Sequence, residues 1–145
     1  MARLPASRVR ASSGTRRGAS ILVVDDYAGA RYLRSRILMD AGYEVVEAEN
    51  GEDALRLAAA AHPALILLDV NLPDISGTEV CTRLKRDPAT AGIPVIQITG
   101  AWLSEEARRR GMASGASAYL TEPVDDVMLL REVVNLLESS SEKPA

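Results

Sequence analysis

The chain has 145 residues, 47% of them apolar and 26% charged, which suits one self-folding domain and excludes a disordered or fibrous chain. Arg3, Arg8, Arg10, Arg16 and Arg17 all precede residue 21, in a stretch without acids, so residues 21–145 hold 12 basic against 20 acidic side chains, a net of −8, and a basic nucleic-acid-binding core is excluded. The one cysteine, Cys81, excludes an intramolecular disulfide framework and suits a reducing compartment.

Residues 1–20 are rich in Arg, Ser, Ala and Gly and lack the apolar stretch of roughly 7 to 15 residues that an export signal needs. They read as a flexible tail. The longest apolar runs, such as Ala64 to Leu68, fall far below the roughly 20 residues that cross a bilayer. The expectation is a cytoplasmic protein without a membrane partner.

From Ile21 onward, short β-rich runs alternate with segments of helical period. Ile21 to Val24 is an unbroken apolar run ending at Asp25-Asp26, as expected of a strand buried on both faces. Ala28 to Ala41 then puts Leu33, Ile37, Leu38 and Ala41 on one helical face, with Gly42 at the C-cap. Glu44 to Ala48 is a weaker strand, and Glu52 to Ala61 a helix stopped by His62-Pro63. The third strand, Ala64 to Leu68, ends at Asp69. After a turn containing Pro and Asp, the Ser76 to Glu79 spacing predicts a capping box opening a helix to about Arg86. Pro94 to Ile98 is the fourth strand, ending at Thr99-Gly100, and Ser104 caps a helix from Glu105 to about Ser114. Ser117 to Leu120 is the fifth strand. Asp125 caps the last helix, where Val127, Leu130, Val134 and Leu137 form one apolar stripe. A domain over residues 21–138 and a polar C-terminal tail over 139–145 follow.

Five strand–helix units are too few to close a barrel, so the pattern predicts an open parallel α/β sheet with helices on both faces. Such sheets bind ligands beyond the carboxyl ends of their strands. Collected there are Asp25 and Asp26, Asp69, Thr99, and Glu122-Pro123. Carboxylates within about 5 Å of each other repel by roughly 3 kcal/mol at an effective dielectric near 20, so the cluster calls for a cation or raised pKa values. Mg²⁺, which takes a few carboxylates with water and phosphate oxygens, is the expected cofactor.

The chain closely resembles the receiver domains of bacterial two-component response regulators. The matching segments are ILVVDD (Ile21 to Asp26), LILLDVNLPDISG (Leu65 to Gly77), PVIQITGA (Pro94 to Ala101) and GASAYLTEP (Gly115 to Pro123). The resemblance implies a flavodoxin-like five-stranded sheet of order 2-1-3-4-5 and a phosphorelay in which a sensor histidine kinase or phosphotransfer protein donates a phosphoryl group. It makes Asp69 the phosphoacceptor and a metal ligand, Asp26 a direct Mg²⁺ ligand, and Asp25 a ligand mostly through water. The backbone carbonyl of Asn71 completes the metal site, Thr99 contacts the phosphoryl group, Tyr119 is the switch aromatic, and Pro123 is a candidate for a cis peptide bond. Signalling is then expected through the fourth helix, fifth strand and fifth helix, to a downstream protein or a second copy. No enzymatic turnover beyond self-catalysed phosphotransfer and dephosphorylation is expected, because the pattern offers no dedicated general acid.

One position departs from the family. Receivers carry Lys immediately before the proline that follows the fifth strand, and here that residue is Glu122. Three readings are open. Glu122 turns outward while a nearby cation substitutes; Glu122 strengthens metal binding while weakening the phosphorylated state; or the domain is a phosphorylation-independent pseudo-receiver acting as an interaction module. Arg31 is the basic residue expected near the strand ends. Trp102, beside the loop after Thr99, is a candidate partner contact. His62 belongs to the opposite end, Cys81 reads as core packing, and a calcium loop at Asp69-x-Asn71-x-x-Asp74 is rejected because Pro73 and Asp74 stand where a ligand and a glycine are needed.

Overall fold

The structure, a computed structural model, describes residues 18–100 and 104–142, with side chains through 139. Five strands alternate with five helices: β1 (Ser20–Val24), α1 (Ala28–Asp40), β2 (Glu44–Ala48), α2 (Gly51–Ala61), β3 (Leu65–Asp69), α3 (Gly77–Arg86), β4 (Val95–Thr99), α4 (Glu105–Ala113), β5 (Ala118–Thr121) and α5 (Asp126–Glu142). The strands form one parallel sheet in the order β2-β1-β3-β4-β5. This is the flavodoxin-like arrangement.

Both faces of the central strands are covered, which explains their unbroken apolar runs. On one face Leu22, Val24, Ile66, Leu68 and Val95 pack with Ala54 and Ala58 of α2 and Val80, Cys81 and Leu84 of α3. On the other, Ile21, Val23, Leu65, Leu67, Ile96 and Ile98 pack with Leu38 of α1 and Leu129, Val133 and Leu137 of α5. The alternation follows from the two-residue period of a strand.

The helix starts are chemically set. Ser76 Oγ accepts from the Glu79 amide and Ser104 Oγ from the Ala107 amide, each at 3.1 Å. Glu79 does not close the expected capping box, because its carboxylate accepts from Arg83 Nε at 3.0 Å. Asp125 contributes its carbonyl, which takes the Leu129 amide at 2.9 Å.

Two helix faces differ from expectation. On α1, Leu33 is 61% exposed and the buried residues are Arg34, Ser35 and Leu38; the inward face lies beside the polar end of β1, where a long side chain with a charged head fits. On α5 the buried stripe is Leu129, Val133 and Leu137, whereas Val127 is exposed and Leu130 and Val134 are half-buried. Apolar residues occur in adjacent pairs along that helix, so two stripes compete, and docking on the sheet selects the one with strict four-residue spacing. The elements themselves reach slightly beyond the segment read as the domain. β1 begins at Ser20, and α5 continues to Glu142, four residues into the segment read as a tail.

Candidate functional site

Parallel pairing sets Val24 of β1 level with Leu68 of β3, so the residues that follow, Asp25 and Asp69, emerge side by side. Asp25, Asp26 and Asp69 each offer a carboxylate oxygen within 4.8 Å of the others. Asp25 is buried, Asp69 half-buried and Asp26 exposed, so the cluster opens to solvent on one side.

Asp25 is held from two directions. Its Oδ1 accepts from the Tyr27 amide at 3.0 Å and its Oδ2 from Arg34 Nη1 at 2.7 Å. Asp69 is less well compensated. Burial, then the charge of Asp25, and to a lesser extent that of Asp26, push its pKa up from 3.8 to about 6, against the opposing pull of the Asn71 amide and of Arg34. Burial and the neighbouring acids together disfavour the Asp69 carboxylate, which a bound cation would relieve. Hard oxygen donors, one of them freely exposed, fit a small dication such as Mg²⁺.

The loop after β3 is pinned tightly. The Gly77 amide donates to the Val70 carbonyl at 2.8 Å, and a Cβ at Gly77 would lie 2.5 Å from the Asp69 carbonyl oxygen, so only glycine allows this approach. Asp74, rejected as a calcium ligand, caps α2 instead: its two oxygens accept the Gly51 and Glu52 amides, each at 2.8 Å. Those bonds, that to Gly51 foremost, hold its pKa below the ordinary carboxylate value. Asn71 is exposed on the same loop.

Thr99 ends β4, buried and level with Thr121, and its carbonyl accepts the Glu122 amide at 2.8 Å. Tyr119 is buried between β5 and α4, its ring against Gly111, where a Cβ would stand 2.2 Å from the ring. Burial raises its phenol pKa, with Arg108 and Arg110 opposing. The Glu122–Pro123 peptide bond is cis.

Glu122 does not turn outward. Its Oε2 forms an ion pair with Arg34 Nη2, and the same guanidinium reaches Asp25. Arg34 was missed from sequence. Its only signal is its place four residues before the core residue Leu38, an arginine on an inward stripe. Arg31 lies near the strand ends as expected, but its side-chain partners are acids of β2 and the loop beyond it rather than Glu122. Its Nε meets Glu47 at 3.0 Å, its Nη2 lies 3.6 Å from Glu49, and its Nη1 donates to the Asp25 carbonyl at 2.8 Å. His62 caps the C-terminus of α2, exposed at the far end of the sheet, and Cys81 is buried in the core. Trp102 lies outside the described residues.

Residues 21–134 match the family model described as response regulator receiver domain. The chain belongs to this family. It is 47% identical over 119 residues to the Response regulator PleD of Caulobacter vibrioides, covering 81% of this chain and 26% of that protein. It is also 36% identical over 115 residues to Protein PilH of Pseudomonas aeruginosa, covering 79% and 94%. Among solved structures, a CheY-like receiver domain protein from Methanospirillum hungatei superposes with a TM-score of 0.81 at 29% identity, covering 87% of this chain and 98% of that one. The chain thus spans about a quarter of PleD and nearly all of PilH. It is a receiver domain of the two-component phosphorelay type, in a fold whose described helices include none long and apolar enough to cross a membrane.

Proposed function

We propose that this receiver accepts a phosphoryl group on Asp69, with Mg²⁺ held by Asp25, Asp26, Asp69 and the Asn71 carbonyl. The observation that carries the reading is the convergence of three carboxylates on one strand-end crevice, with Asp69 driven up in pKa. When bound, Mg²⁺ supplies charge neutralisation and fixes the phosphoryl oxygens. The protein's own share is positioning. An Asp69 oxygen attacks the phosphorus of a phosphohistidine, the P–N bond breaks, and the imidazole leaves with the electron pair and takes up a proton. Asp69 is presented for this by the rigid end of β3 and the Gly77 turn behind it.

Thr99 donates its hydroxyl to a phosphoryl oxygen in this reading, and Tyr119 transmits the change to α4 and β5. The donor is a sensor histidine kinase or a phosphotransfer protein, and the receiver of the signal is a downstream protein or a second copy bound at α4, β5 and α5. In this reading the protein acts as a phosphoacceptor, the family's general role. A cytoplasmic location goes with the free buried thiol of Cys81. The acid at position 122, where receivers carry lysine, favours a second reading, in which the domain signals through contacts alone.

Incubation with acetyl phosphate and Mg²⁺ separates the two. Mass spectrometry is expected to find one phosphoryl group on the wild type and none on Asp69→Ala. A wild type that takes up no phosphoryl group leaves the interaction module as the function.

A further inference from the structure

The family's lysine position is filled here by an acid, yet the crevice is not without a cation. Arg34 reaches it from α1, nearly buried, with Nη1 on Asp25 Oδ2 at 2.7 Å and Nη2 on Glu122 Oε2. The Asp25 carboxylate that it holds offers an oxygen within 4.8 Å of one of Asp69. A buried guanidinium clamped between two acids on different strand ends is a costly arrangement when it serves stability alone. Glu122 is itself placed by its backbone N–H, which donates to the Thr99 carbonyl at 2.8 Å. The acid and the cation therefore form one unit spanning β1, α1 and the end of β5.

Building on the phosphoacceptor reading, we propose that Arg34 is the cation that binds the phosphoryl group on Asp69, and that Glu122 is the positioning residue that holds the Arg34 guanidinium over the crevice. A guanidinium has five N–H donors in a planar fork suited to phosphoryl oxygens, and the two contacts named use two of them. In this chain the cationic role has moved from the end of β5 to α1, and the β5 position has become its anchor. Four carboxylates against one guanidinium leave the site more negative than a lysine would, so Mg²⁺ has to bind first.

Beryllofluoride, which mimics a phosphoryl group on a carboxylate, tests this in the full chain by calorimetric titration, with Mg²⁺ alone titrated in parallel. Arg34→Gln is expected to weaken beryllofluoride binding by about tenfold or more while leaving Mg²⁺ affinity unchanged or higher, because it removes a positive charge that competes with the metal. Arg34→Gln combined with Glu122→Lys restores beryllofluoride affinity to within about threefold of wild type. A purely structural role would lower both affinities together, and that result, or an unaltered beryllofluoride affinity in Arg34→Gln, overturns the proposal. Should Arg34→Gln fail to fold, the wild type decides. The Arg34 Nε–H resonance is expected to shift when beryllofluoride is added to the Mg²⁺-saturated protein, and an unmoved resonance overturns the assignment. A wild type that binds Mg²⁺ but no beryllofluoride sinks the phosphoacceptor reading itself, whatever Arg34 does.

Discussion

Asp69 carries an electrostatic load that the fold does not relieve, and the load has a thermodynamic sign. Its folded pKa, about 6, lies above the ordinary value of 3.8, so the folded state holds a proton that the unfolded chain has lost. Stability from this group is complete below about pH 4 and disappears as pH rises through 6. Metal-free protein in EDTA should therefore melt at a lower temperature at pH 7.5 than at pH 5, and Asp69→Asn should flatten that slope. Asp74 has the opposite sign, its contribution fading only as pH falls below the ordinary carboxylate range, so the two windows separate. Saturating Mg²⁺ should erase the Asp69 slope, and a wild-type melting temperature indifferent to both pH and Asp69→Asn would show that the carboxyl is not held against its charge. Asp26 bears on the same balance, since it is the exposed member of the cluster. Asp26→Asn should weaken Mg²⁺ binding by about 10–100-fold, the loss typical of a metal-site partner, as read by titration calorimetry.

The contact of α4 with β5 rests on a gap the width of one ring. Gly111 is the only buried residue of α4, and Tyr119 fills the space where its side chain would be. Gly111→Ala should expel or tilt the ring, at about 1–3 kcal/mol for overpacking, visible as altered Tyr119 ring resonances and a lower melting temperature. Unchanged ring signals would mean that α4 itself moves away. Such contacts mark where the sequence stops being legible. The strands could be read because central parallel strands are unbroken apolar runs, and the carboxylates because runs such as Ile21 to Val24 end on acids whose register parallel pairing then fixes. The faces of α1 and α5 could not. Leu33 satisfies the helical period as well as Leu38 does, and Leu130 and Val134 compete with Leu129 and Val133; only the sheet decides between them. Arg34 was hidden for a related reason, since helical period gives the direction of a Cα–Cβ bond but not how far a long side chain reaches along the strand ends.

Burial across the molecule is graded from the β1–β3 centre to the α4 edge. Every apolar side chain from Ile21 to Val24 and from Leu65 to Leu68 is at most 1% exposed, whereas α4 presents nearly all its residues to solvent and covers a strand that carries Gln97, whose buried Oε1 finds no hydrogen-bond partner among the described residues. Gln97 Nε2 does donate to Ser114 Oγ at 3.2 Å, and that hydroxyl donates to the Gly111 carbonyl at 2.6 Å, so a polar thread ties the end of α4 to the sheet. Local opening costs least where few apolar contacts break. The amides of α4 should therefore exchange with deuterium roughly 100-fold faster than those of β1 and β3, with α5 intermediate. Ser114→Ala should speed α4 exchange further, because it removes the hydroxyl through which the thread from Gln97 to the Gly111 carbonyl runs. Protection of α4 equal to that of β3 would show that the thread through Ser114 holds the edge as firmly as the core.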